Sequence, residues 1–198
     1  SGKVTVTTIS PLTHSVVDSN GGGYFGPYLK FSGWDALEIQ GKADQDVIIF
    51  IDGDNGLVKI EAAPLDPINT HLVNTELTEL FAKDEKDKKN ISVISAGQAA
   101  EHLPICGLNI SYYDLKKKEV RYKQAARGGA GTVLRDKKIK AIVVKYSGLN
   151  ADSNGVADMA LLRKAGTRIN QEISKFDASQ NDMRGTGTPY LVEIMNRF

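Results

Sequence analysis

The chain has 198 residues, 41% of them apolar and 25% charged, the balance of an ordinary globular protein with length for one good core, or for one domain and part of another. With 25 basic against 24 acidic residues the net charge is +1, which excludes the broad basic footprint of a nucleic-acid binder and makes any anion site local. Cys106 is the only cysteine, so neither an intrachain disulfide framework nor a cysteine-ligated cluster can be built from this sequence, and a buried, inert thiol is the expectation for it. No stretch approaches the roughly twenty apolar residues that span a bilayer, and no signal peptide is visible, so a cytoplasmic location with no membrane or nucleic-acid partner is expected.

Val4–Ile9 alternates apolar residues with threonine and reads as a strand. A strand starting so close to residue 1 looks like the middle of a sheet whose first strands are missing, so the chain is expected to be a fragment. Ser10-Pro11-Leu12-Thr13 is a turn, and Ser15-Val16-Val17 leads into a glycine loop, Asp18-Ser19-Asn20-Gly21-Gly22-Gly23-Tyr24-Phe25-Gly26-Pro27, with four glycines in six positions. Residues 24–31 read as a short helix, with Pro27 tolerated in its first turn and Gly33 ending it. Residues 36–41 and 47–51 read as strands, and Asp52-Gly53-Asp54-Asn55-Gly56 turns the chain into a partner strand at 57–61.

Pro64 and Pro67 punctuate a loop, after which Thr70 caps a helix running to about Lys83, with Leu72, Val73, Leu77, Leu80 and Phe81 as its apolar face. The charge run at 84–90 reads as a solvated helix end and loop. A buried strand at 91–94, an extended run at 103–113 and a polar turn at 114–119 precede a second glycine stretch, Ala125-Ala126-Arg127-Gly128-Gly129-Ala130-Gly131. A short apolar turn at 132–134 and a strand at 139–144 follow. Residues 149–155 then read as a linker, 156–176 as an amphipathic helix using Met159, Leu162, Ala165, Ile169 and Ile173, and 189–197 as a last short helix. Many strands with few helices, then helices only, make an α+β domain followed by the opening of a helical one.

Glycine-rich loops make tight turns, but they also present rows of main-chain N–H donors to phosphates. Two such loops, with Arg127 in one, point to one large anionic ligand held from two sides. Gly21, Gly23 and Gly26 also satisfy G-x-G-x-x-G, which raises a nicotinamide-dependent dehydrogenase as an alternative. That motif belongs between a buried parallel strand and a long helix, and the short run before it and Pro27 after it count against the assignment.

Ser10-Pro11-Leu12-Thr13, then Asn20-Gly21-Gly22-Gly23-Tyr24-Phe25-Gly26-Pro27-Tyr28-Leu29-Lys30 and Gly33-Trp34-Asp35-Ala36-Leu37-Glu38-Ile39-Gln40-Gly41-Lys42-Ala43, resemble the N-terminal domain of the tungsten-containing aldehyde ferredoxin oxidoreductases. Ala96-Gly97-Gln98-Ala99-Ala100-Glu101, the second glycine run, Lys138-Ile139-Lys140-Ala141-Ile142-Val143-Val144 and the closing Gly187-Thr188-Pro189-Tyr190-Leu191-Val192-Glu193-Ile194-Met195-Asn196 are similar to the same family, in order and with matching spacing. The resemblance implies mixed, mainly antiparallel sheets over residues 1–148 and the first helices of a second domain over 149–198.

It further implies a tungsten or molybdenum bis-pterin cofactor with a bridging magnesium, aldehyde as substrate, ferredoxin as electron acceptor through a [4Fe-4S] cluster whose ligands lie outside this chain, and a homodimer. The cofactor contacts implied are Lys3, Asn20, Gly22, Lys123, Gln124, Ala126 and Arg127, with backbone oxygens near Asn20 and Gln124 for magnesium. The family has arginine where this chain has Lys3, and Arg-Ala-Ala-Gly-Arg-Gly-Gly where it has Lys123-Gln124-Ala125-Ala126-Arg127-Gly128-Gly129. No catalytic acid or base is assigned within the chain, which alone is expected not to turn over aldehyde. A family-like structural module without cofactor is the other alternative, and Glu101, Asp35 and Trp34 are expected in structural roles, Trp34 as a core anchor.

Overall fold

The structure, a computed structural model, describes residues 2–64, 69–150, 153–180 and 183–197. Two compact units divide the chain, Ser1–Asn150 and Ala151–Phe198.

The first unit is α+β, as the pattern of elements predicts. Strands β1 (Val4–Ile9) and β2 (Val16–Gly21) form a two-stranded antiparallel sheet. The helix α1 (Phe25–Phe31) follows, and then the strands of a six-stranded mixed sheet: β3 (Val47–Asp52), β4 (Leu57–Ala62), β5 (Ile91–Ser95), β6 (Leu108–Asp114), β7 (Glu119–Ala125) and β8 (Ile139–Lys145). Their order is β4-β3-β8-β5-β6-β7, and only the β3–β8 pair is parallel.

Strand β8 lies inside this sheet and is buried along its whole length, which is why it reads as a continuous apolar run rather than an alternating one. Its side chains feed two cores in turn. Ile142 and Val144 join Phe25, Leu29, Ile51 and Ile110 on one face, where α1 and α3 (Ala130–Asp136) contribute; Ala141 and Val143 join Ile48, Val93, Val73 and Leu77 on the other, under α2 (Thr70–Phe81).

Several local expectations are corrected. Residues 36–41 form no strand; with no neighbouring ladder to join, their one inward residue, Ile39, simply packs against the first core. Strand β7 lies where only a turn and a loop were expected, because its alternation is diluted by Arg121 and Lys123, the charges that edge strands carry. Residues 132–134 belong to helix α3 and not to a turn. The run before β6 is a turn at residues 103–107, in which Cys106 is half-buried rather than enclosed in a strand. Trp34 is 43% exposed and anchors no core.

Helix α2 is rotated from the expected face. Its N-cap is Asn69, whose side chain accepts from the Leu72 N–H at 2.9 Å, while Thr70 instead meets Ser95 Oγ at 2.6 Å. Asn74 and Thr78 are buried where Leu72 and Leu80 were expected, since the Ser95 hydroxyl donates to Asn74 Oδ1 at 2.7 Å and Thr78 Oγ1 to the Asn74 carbonyl at 2.7 Å. Leu72 and Leu80 stay 48% and 56% exposed. Leu77→Ala is therefore expected to cost about 2–5 kcal/mol in urea unfolding, and Leu72→Ala or Leu80→Ala less than about 0.5 kcal/mol each. Equal costs would place the face where the periodicity alone put it.

The charge run at 84–90 is not merely solvated. Its 3-10 turn Asp87–Asn90 brings Asp87 to Lys145 at 2.6 Å, with both side chains nearly buried. Pro67 lies outside the described residues. The second unit holds α4 (Met159–Gln180), α5 (Met183–Thr186) and α6 (Tyr190–Met195); in α4, Leu162, Ile169 and Ile173 form an exposed stripe, and Arg168 pairs with Glu172 one turn on at 2.7 Å. Among the described residues no helix is long and apolar enough to cross a membrane.

Candidate functional site

The first glycine run is strand, turn and helix in succession. Residues 18–21 complete β2, in register with β1 so that Asn20 faces Thr5 and Gly21 faces Val4. Only residues 22–24 turn, with Gly23 at φ +101°, before α1 begins. The dehydrogenase alternative is overturned here: β2 pairs only with antiparallel β1, and α1 is seven residues long, so no βαβ unit surrounds the motif.

What several glycines accommodate is protein. A Cβ on Gly21 would lie 2.1 Å from Ile110 Cδ1, and one on Gly128 would lie 2.3 Å from Val17 Cγ2. Strand β2 is thereby pressed onto the β6–β7 edge and the stretch that follows it. The Arg127 backbone N–H donates to Ser19 Oγ at 3.1 Å and closes the contact between the two runs. Gly22 differs: a Cβ there would make only ordinary contact, at 3.8 Å, with Lys123 Cγ. Steric closeness thus explains Gly21 and Gly128 without a ligand, and leaves Gly22 and Gly23 as the open part of the first loop.

This packing makes neighbours of residues a hundred positions apart. Lys3 precedes β1, and a Cβ on Gly26 would lie 2.9 Å from its carbonyl oxygen, beside the glycine turn. Asn20 and Gly22 flank the end of β2; Lys123 and Gln124 close β7; Ala126 and Arg127 follow it. Lys3, Asn20, Lys123, Gln124, Ala126 and Arg127 are all exposed. Asn20 Oδ1 accepts from Thr5 Oγ1 at 2.7 Å and Gln124 Nε2 donates to Asn109 Oδ1 at 3.1 Å, which orients both amides.

Among the described residues, no ion pair engages Lys3, Lys123 or Arg127. Tyr24, which sequence reasoning used only as a helix start, presents a ring 45% exposed next to the turn. It is held by stacking on Tyr28 at 5.6 Å and by an edge contact with Tyr112 at 5.7 Å. An aromatic residue directly after a glycine turn is the signal that would have found it.

Three uncommitted cations, two oriented amides and an exposed ring fit an anionic, flat ligand such as a phosphate-bearing pterin. Among the described residues no group of three or more His, Cys, Asp or Glu side chains is placed to hold a metal ion. The remaining charged clusters are structural. Arg135, 6% exposed, donates from Nη2 to Glu101 at 2.5 Å and to Asp46 at 3.1 Å. Burial alone would raise the Asp46 pKa, but the hydrogen bond and charge of Arg135 outweigh it and hold that carboxyl below its usual range. Glu101 thus has the structural role expected of it, and Asp35 a surface pair with Lys30 at 3.0 Å.

Residues 1–146 match the family model described as "Aldehyde ferredoxin oxidoreductase, N-terminal domain". The chain is 32% identical over 195 residues to the tungsten-containing aldehyde ferredoxin oxidoreductase of Pyrococcus horikoshii, and 28% identical over 197 residues to that of Pyrococcus furiosus. Each alignment covers 98% of this chain and 29% of the relative, so the chain spans about three-tenths of the length of the curated relatives it matches. Among solved structures it is similar to the active site complex BamBC of benzoyl coenzyme A reductase in complex with 1,5-dienoyl-CoA, with a TM-score of 0.59, 27% identity, and coverage of 74% of this chain and 20% of that one.

Proposed function

The chain belongs to the family of aldehyde ferredoxin oxidoreductase N-terminal domains, and on that premise we propose that the exposed face built from the two glycine runs is the base on which a tungsten or molybdenum bis-pterin lies. The observation that carries this reading is the gathering of Lys3, Lys123 and Arg127, uncommitted to any carboxylate, around the turn after β2 that holds the open glycines Gly22 and Gly23. Lys3 and Lys123 supply point charges for phosphate oxygens, and Arg127 a fork of donors for a phosphate or a pterin edge. Asn20, Gly22 and Ala126 would line the ligand, and backbone oxygens at Asn20 and Gln124 would ligate the magnesium that accompanies it.

When bound, the cofactor supplies two-electron oxidation of an aldehyde to a carboxylic acid. The domain's own residues hold and orient it. Acid and base groups, the cysteines of a [4Fe-4S] cluster and the surface for ferredoxin come from the rest of the protein, for this chain has one cysteine. Residues 1–148 are thus the cofactor-base domain and 149–198 the entry to a helical one, in a protein of the cytoplasm. The naming of its curated relatives as tungsten-containing favours tungsten over molybdenum.

Elemental mass spectrometry and fluorescence of released, oxidised pterin, on the full-length protein from its own host, test the reading: tungsten and pterin in fixed ratio to protein are expected. Arg127→Ala is expected to weaken retention of the group about ten- to a hundred-fold, the scale of one charge-assisted hydrogen bond, with unchanged circular dichroism and melting. A well-folded protein with neither metal nor pterin would sink the proposal in favour of a structural module, the reading favoured by the packing roles of Gly21 and Gly128.

A further inference from the structure

We propose that Ser19 is a positioning residue for the cofactor: its buried hydroxyl sets where Arg127 stands, and so fixes the spacing between the two runs that hold the ligand. The inference rests on the cofactor reading above and adds to it a residue that touches no ligand. Ser19 is 4% exposed, between Asp18 and Asn20, which are both exposed; the alternation of the strand puts it on the inner face of β2 with Val17 and Gly21. The hold is therefore built inside the first unit and does not depend on what lies over the outer face.

Arg127 needs an external hold because its own stretch of chain supplies little. The β6–β7 ladder ends at the Leu108–Ala125 pair, and α3 begins only at Ala130. Between them Gly128 and Gly129 have φ of +73° and +72°, and glycine takes either sign of φ about equally well, so these two residues give Arg127 no fixed direction. Val17 presses on Gly128, where an added Cβ would lie 2.3 Å from its Cγ2, but that contact limits space without aiming anything. The Arg127 N–H donating to Ser19 Oγ at 3.1 Å is directional. Asn20, the next residue of β2, belongs to the other set of proposed contacts. One hydrogen bond between residues 108 positions apart thus ties Arg127 to Asn20 and Gly22, and a binding group is only as well placed as the residues that support it.

Pterin retention by the full-length protein, measured by fluorescence of the oxidised, released group, tests this alongside thermal melting. Ser19→Ala is expected to weaken retention about five- to tenfold, the scale of one hydrogen bond. Ser92→Ala is the control: Ser92 is also buried, and its hydroxyl donates to the Ser111 carbonyl at 2.5 Å within the six-stranded sheet, so its loss should lower the melting temperature comparably and leave retention unchanged. In an Arg127→Ala background, Ser19→Ala should weaken retention no further, because the hydroxyl acts through the guanidinium. Retention no weaker in the Ser19→Ala protein than in the Ser92→Ala protein, or losses that add in the double variant, would overturn the positioning role and leave the cofactor reading standing. A well-folded parent protein with neither metal nor pterin would overturn both.

Discussion

Lys145→Met is expected to destabilise the first unit by about 3–5 kcal/mol, the cost of leaving one member of a buried ion pair unpaired. Lys145 closes strand β8 with its side chain only 9% exposed; Nζ donates to Asp87 Oδ2 at 2.6 Å and to the Phe81 carbonyl at 2.8 Å. It therefore staples the end of α2 and the 84–90 turn to the central sheet. Asp87 also accepts from Asn90 Nδ2 at 3.0 Å and from the Lys83 backbone N–H at 2.9 Å. Replacing both partners, as in Asp87→Leu/Lys145→Met, should recover most of the loss, because an apolar pair needs no solvation. Urea unfolding of the single and double variants decides this: a single variant within about 1 kcal/mol of the parent would mean that water reaches the pair.

The same pair sets an acid limit. Burial pushes the Asp87 carboxyl up, but the hydrogen bonds from Lys145, Asn90 and the Lys83 N–H, with the charge of Lys145, outweigh it and hold the pKa down at about 2. Because the folded value is depressed, its contribution is present in full above the unfolded carboxylate range near pH 4 and is lost as pH falls toward 2. The amount is about 2 kcal/mol for a shift of this size. Asp87→Asn should flatten that part of the stability–pH curve.

Gly129→Ala carries the second large effect, of order 3 kcal/mol, from two sources that add. Gly129 is the N-cap of α3 at φ +72°, where a side chain costs about 1–2 kcal/mol, and its added Cβ would lie 2.2 Å from the Pro104 carbonyl oxygen, an overpacking cost of about 1–3 kcal/mol. The clash is with backbone, which cannot step aside as a side chain can. Gly56→Ala isolates the first source, since Gly56 has φ +65° and nothing within 4 Å of an added Cβ. Thermal melts of the two variants should differ clearly; equal losses would show that the 103–107 turn yields. On the cofactor-base reading proposed above, retention of pterin by the Gly129→Ala protein should fall with stability, because Arg127 stands two residues before Gly129.

Much of the fold was legible because its signals are local. The alternation of β1, the hairpin between β3 and β4, the apolar run of β8 and the short helix α1 each depend on residues within one turn or strand of each other. The order of strands before helices gave the α+β class, and the resemblance of several motifs along the chain to a known family gave the family. The glycines do a second job that sequence did not show: Gly21 lies where β2 meets β6, and Gly128 where the stretch after β7 meets β2.

What the amino-acid sequence determined by itself was therefore the set of elements with strong local patterns, the family and the residues with chemistry to offer. Tertiary structure decided which of those residues are neighbours. Whether Leu72 or Asn74 faces the sheet depends on Ser95 across the α2–β5 contact, and whether Asp87 is solvated depends on Lys145, 58 positions away. Likewise Arg127 stands beside Ser19 only because a Cβ is missing at two contact points, 108 positions apart from donor to acceptor. Polar partners and close approaches separated by such distances leave no periodicity in the chain, and they come into being only when the sheet brings its strands together.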